Sequence, residues 1–222
     1  MLVNNININY VQTGAGNQSL LLMPGALGSA WSDFKPQIEK LPNILSNFTI
    51  IAWDPPGYGN SIPPRREFTT DFLHRDADYA HNLMSHLGHS KYSILGWSDG
   101  GITALIQAAK YSDAIEKLVI WGANSYIVPE EIKTYESIRD VNKWSPRMRE
   151  PMEKMYGKDG FAKLWSEWVD VYIALHGRNN GDICKEELPK IKAPTLIVHG
   201  LKDPMIDGGH VSYLQDHIPS TE

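Results

Sequence analysis

The chain has 222 residues and 25.0 kDa, 42% of it apolar, with 14 prolines and 18 glycines in no regular period, which excludes collagenous, fibrous and disordered classes. Its 21 Lys and Arg against 26 Asp and Glu leave a net charge of −5 with no basic run, so nothing favours a nucleic-acid partner. Apolar runs such as Ser19 to Met23 and Thr195 to Val198 fall far short of the roughly 18 residues a membrane span takes, so no membrane partner is expected.

In chain order, Met1 leads into an alternating stretch in which no signal or transit peptide is visible, and strands are expected over Ile6 to Val11, Leu20 to Met23 and Thr49 to Trp53. A helix follows, with Leu73, Ala77, Ala80, Met84 and Leu87 at alternating spacings of four and three. Then come a strand over Tyr92 to Leu95, a helix after Ser98 carrying Ile102, Leu105, Ile106 and Ala109 on one stripe, and a strand over Leu118 to Trp121. From Asn124 to Lys190 no strand pattern appears. Tyr126, Tyr135, Trp144, Tyr156, Trp165, Trp168 and Tyr172 interleave there with Met148, Met152 and Met155, which reads as a helical insertion packing its own layer and lining an apolar pocket. Thr195 to His199 is the last expected strand, and Gly209 to His217 the last helix. Strands alternating with helices predict an α/β doubly wound, mostly parallel sheet, divided as core over 1–123, helical lid over 124–190 and a second core part over 191–222. The single cysteine, Cys184, permits no intrachain disulfide and no zinc site has the right spacing, so a reducing, cytoplasmic compartment and a protein without metal are expected.

The chemistry gathers at Gly96-Trp97-Ser98-Asp99-Gly100, a G-x-S-x-G pattern between a strand and a helix. A serine presented there sits at a tight, strained turn, and glycines at 96 and 100 avoid collision with neighbouring elements. Acyl transfer also takes donors aimed at the developing oxyanion, for which the backbone amides of Asp99 and Ala26 are the candidates, the latter in a loop freed by Gly25 and Gly28. Asp203, just beyond the last strand, is the candidate acid that would orient a histidine. His199 is read as a packed, hydrogen-bonded residue rather than a base; His74, His81, His86 and His89 fall on or near an outer helix, and His210 and His217 on the final one. Without a base Ser98 is a weak nucleophile.

These residues resemble the α/β-hydrolase superfamily, in which the elbow serine, a following acid and a last histidine form a triad. Trp53-Asp54-Pro55-Pro56-Gly57-Tyr58-Gly59-Asn60-Ser61 is similar to the superfamily's D-x-x-G-x-G-x-S turn, where the aspartate is structural. Longer matches over Gly96 to Leu105, Val119 to Asn124 and Ile138 to Val141 resemble a branch that cleaves α-amino acid esters, nucleoside-analogue prodrugs included. That resemblance implies that the Asp99 carboxylate recognises the substrate's ammonium, that no cofactor is needed, and that the partner is a small-molecule ester bound by a monomer; relatives are often mitochondrial. It also implies a closing strand, helix and catalytic histidine after Asp203, which the few residues remaining do not supply, so the sequence reads as truncated, with a bare sheet edge and little activity. The alternatives are a carbon-carbon bond or neutral ester hydrolase on the same scaffold, and a non-catalytic ligand-binding homologue.

Overall fold

In a computed structural model, residues 1–221 are described. A small hairpin, β1 (Leu2–Val3) with β2 (Ile6–Asn7), precedes a six-stranded sheet of β3 (Tyr10–Thr13), β4 (Gln18–Met23), β5 (Phe48–Trp53), β6 (Tyr92–Trp97), β7 (Ile115–Trp121) and β8 (Thr195–Val198). Its spatial order is β3-β5-β4-β6-β7-β8, antiparallel only at β3. The expected single strand over Ile6 to Val11 is thus two, because β2 turns back on β1 while β3 pairs with β5.

Helices α1 (Ala30–Ile44), α2 (Phe72–His86) and α3 (Asp99–Lys110) cover both faces of the sheet. The sequence reading does not mark α1, whose Pro36 and Pro42 and a kink at Phe34 obscure its period; it buries Phe34 and Ile38 against Leu22, Ile50 and Ala52. In α3 every residue from Asp99 to Ala108 is buried, so the helix is a packed interior element and not a one-faced one.

Residues between β7 and β8 form α4 (Pro129–Ser137), α5 (Pro146–Tyr156) and α6 (Lys158–Gly177), with a 3-10 turn at Val141–Lys143 between the first two, Gly157 between the last two and two more 3-10 turns after α6, as the helical reading expects. Phe161, Leu164, Trp165, Trp168 and Tyr172 of α6 are buried, whereas α5 buries no residue fully. Helix α7 (Gly209–His217) follows β8, and the chain then returns alongside it, with the Thr195 amide donating to the Ser220 carbonyl at 2.7 Å and Thr195 bridging Thr221 in parallel. Beyond that bridge β8 pairs only with β7 among the described residues, and Leu196 and Val198 are 44% and 46% exposed.

The strand order determines where a site can form. From β4 the chain crosses to β5 on one side and then to β6 on the other, so β4 and β6 are neighbours at the switch point, with Met23 beside Gly96. Loops leaving their carboxyl ends diverge there and open a crevice.

Candidate active site

Ser98 follows β6 directly and has φ 54° and ψ −126°, a strained conformation for a side chain with a Cβ. The turn is held by its surroundings: the Ser98 amide donates to the Trp121 carbonyl at 3.0 Å, and the Ser98 carbonyl accepts from Gly101 and Ile102. The flanking glycines are needed for space. A Cβ at Gly96 would lie 2.5 Å from the Gly100 carbonyl oxygen, and one at Gly100 would lie 2.2 Å from that of Met23. Ser98 is half-buried and lines two cavities, one shared with Ala26 and Asp99 and the other with Asp203.

Both candidate oxyanion donors are free. Among the described residues neither the Ala26 nor the Asp99 amide donates to another protein group, while the loop around Ala26 is pinned by Gly25, whose amide donates to Asp33 Oδ2 at 2.9 Å. This loop passes close to the elbow, since a Cβ on Gly25 would stand 3.1 Å from Ser98 Cβ. Burial pushes the Asp33 carboxyl up to about 6, partly offset by the hydrogen bonds it accepts from Ser32 and Gly25.

Asp203 Oδ1 accepts from the amides of Met205 and Ile206 at 2.9 and 3.2 Å, so the carboxyl caps its own turn as well as facing the cleft. Oδ2 has no partner among the described residues and points toward Gly122, where an added Cβ would be 3.5 Å away. No histidine of the described residues lines either cavity at Ser98. His210 instead meets Glu131 Oε1 at 2.9 Å with both side chains buried, and His217 bonds the Tyr213 carbonyl at 2.7 Å. His81 stacks on Tyr111, His89 bonds Ser19, His86 bonds the Asn82 carbonyl and His74 faces Glu187, all away from the elbow. His199 departs from its reading: it follows β8, is half-buried and makes no side-chain hydrogen bond among the described residues. Asp54 is structural, accepting from Ala30, Asn60 and the Asn9 side chain.

The Asp99 side chain is the unusual group. It is 6% exposed, and each oxygen accepts one hydrogen bond, from Tyr172 Oη at 2.7 Å and from Trp168 Nε1 at 2.8 Å. Burial raises its carboxyl to about 6; those two donors and Arg66 act in the opposite direction. Behind it Arg66 makes a two-pronged pair with Asp76, at 2.8 and 2.6 Å, and lies 4.4 Å from the Tyr58 ring centroid. Once Asp99 ionises, this buried group of one cation and two anions carries one uncompensated negative charge. The cavity over Asp99 has about 630 Å³ and is walled mainly by apolar and aromatic side chains, among them Ile102, Tyr135, Trp144, Met152, Phe161, Trp165, Trp168 and Met205.

The sequence reading lists Trp168 and Tyr172 as lid aromatics but misses their bonds to Asp99; their spacing from Trp165, at i+3 and i+7, is the signal that they share a helix face. No local pattern in the sequence distinguishes Arg66, Asp76, Asp33 and Glu131 from surface charges.

A strand-elbow-helix serine at the switch point of such a sheet defines a serine hydrolase scaffold, and the alpha/beta hydrolase fold family model matches residues 18–150. The chain belongs to the α/β-hydrolase family. It is 50% identical to human serine hydrolase BPHL over 97% of this chain and 74% of that protein, and 48% identical to the mouse counterpart over the same shares. Among solved structures it superposes on a meta-cleavage product hydrolase from Pseudomonas fluorescens IP01 with a TM-score of 0.76 and 20% identity, covering 100% of this chain and 86% of that one. The enol-lactonase from Burkholderia xenovorans LB400 gives a TM-score of 0.74 at 20% identity, with 100% and 88% covered. No helix among the described residues is long and apolar enough to cross a membrane.

Proposed function

We propose that this serine hydrolase cleaves esters of α-amino acids with apolar side chains, as its resemblance to valacyclovir hydrolase, also called biphenyl hydrolase-like protein, implies. Ser98 attacks the ester carbonyl, the Ala26 and Asp99 amides stabilise the oxyanion, and water later releases the acid. No histidine of the described residues lines the cavities at Ser98, and the partnerless Oδ2 of Asp203 is available to orient a base there. The lid, residues 124–190 between the two core parts, forms the acyl pocket.

The observation that carries the substrate class is the Asp99 carboxylate. It lies one residue from the nucleophile in an apolar cavity, and a substrate ammonium would neutralise the charge left over from the Arg66–Asp76 pair. Each oxygen, with one donor bound, retains a further lone pair for that cation. A neutral ester or a carbon-carbon substrate leaves this carboxylate unpaired.

The test compares kcat/KM for a valyl ester and its isovaleryl counterpart, which lacks only the amine, with free imidazole supplied as base for the cleft at Asp203. One hydrogen bond to a charged group is worth about 1.5–3 kcal/mol, so the amino ester should lead by roughly 10- to 150-fold. Equal efficiencies would overturn the assignment, and the lead should shrink in Asp99→Asn.

A further inference from the structure

Tyr156 ends α5, and its hydroxyl joins two loops of the core. It donates to the Leu27 carbonyl at 2.7 Å and accepts from the Gly59 amide at 3.0 Å. Leu27 directly follows Ala26, is 1% exposed and has φ +57°, a left-handed conformation that a residue with a Cβ holds only when its surroundings enforce it. The same loop is held on its other side by Asp33 of α1, through the Gly25 amide, and closed by the Gly28 amide donating to the Gly25 carbonyl at 3.0 Å. Tyr156 is thus its hold from the lid.

Helix α5 itself is lightly seated. None of its residues is fully buried, and its Met148 and Met152 reach the cavity over Ser98. One end of α5 therefore borders the space an acyl group fills, and the other carries the hydroxyl that ties down the oxyanion loop.

We propose that Tyr156 is a positioning residue that couples the lid to the oxyanion loop: an acyl group packed against Met148 and Met152 seats α5, and Tyr156 then holds Leu27, and with it the Ala26 amide, where the oxyanion develops. This deepens the reading of Ala26 as an oxyanion donor and rests on it. Pocket occupancy and oxyanion geometry become linked, so a substrate too small to touch α5 gains less from the donors than one that fills the cavity.

The variant is Tyr156→Phe, which keeps the ring and removes the hydroxyl. Amide hydrogen exchange over residues 24–29 reads the tether, with or without phenylalaninamide as the occupant. Inactivation by an alkyl fluorophosphonate reads the donors: the Ser98 oxygen displaces fluoride from phosphorus, its proton passing to imidazole in the buffer. In the variant the loop should exchange several-fold faster, and kinact should fall about tenfold with KI changed by less than twofold. Phenylalaninamide should slow loop exchange in the parent chain but not in the variant. Unchanged exchange overturns the tether, and faster exchange with an unchanged kinact overturns its role in positioning the donors. A parent chain whose Ser98 takes no label fails the reading of the nucleophile instead, and the exchange comparison still judges the tether.

Discussion

Acidifying the solution from pH 7 to pH 5 should release an α-amino ligand from this protein while leaving a neutral one bound. Burial holds the Asp99 carboxyl at about 6, so its ionised fraction falls from about nine-tenths at pH 7 to about one-tenth at pH 5. The ligand's amine, with a pKa of about 7.7–8.0, stays cationic throughout. If the ammonium binds only the carboxylate, affinity falls about tenfold, or about 1.4 kcal/mol, across that window. Calorimetric titration with valinamide checks this, isovaleramide being the control without an amine, and at pH 6 binding of the cation should expel about half a proton into the buffer. Equal pH dependence for the two amides, or no proton release, would refute the reasoning.

Stability should follow the same group. A folded-state pKa raised above the ordinary 3.8 means the folded chain keeps its proton to higher pH, so the contribution of Asp99 is fully present below about pH 4 and is lost as pH rises through 6. Relative to Asp99→Asn, the parent should lose about 2 kcal/mol between pH 4 and 7 in urea unfolding, and parallel curves would contradict the burial of this charge. Asp76→Asn strands the Arg66 guanidinium, which is 3% exposed, and should lower stability by about 3–5 kcal/mol in the same assay; a loss below about 1 would show the pair to be solvated. Gly100→Ala puts a Cβ 2.2 Å from the Met23 carbonyl and 2.4 Å from that of Pro24, and should destabilise by about 1–3 kcal/mol or more because both obstacles are backbone. Phe34→Ala, at a side chain with no exposure, should lower stability by about 3–5 kcal/mol.

Much of the fold was legible in the order of residues because its signals are local. Short Val-, Ile- and Leu-rich runs ending in glycine or aspartate mark β4 to β8 within a few residues, and the spacing from Leu73 to Leu87 marks α2. The elbow is a five-residue pattern whose glycines answer to contacts within a few ångströms, so Ser98 and its strained turn can be read from the motif alone. Helix α1 is not legible because two prolines break its period, and β2 and β3 read as one strand because a two-residue hairpin leaves no distinct composition.

The environment of Asp99 was not legible, since its partners lie far away in the chain: Trp168 and Tyr172 about 70 residues on, with Arg66 and Asp76 before it. The same holds for the tie from Tyr156 to Leu27 and for the buried pair of Glu131 with His210, which joins a lid helix to α7. Local chemistry therefore announced the strained elbow serine and the kind of sheet that carries it. Burial, shifted protonation and the choice of partner are sums over neighbours that chain folding alone brings together, and no reading of residue order contains those distances.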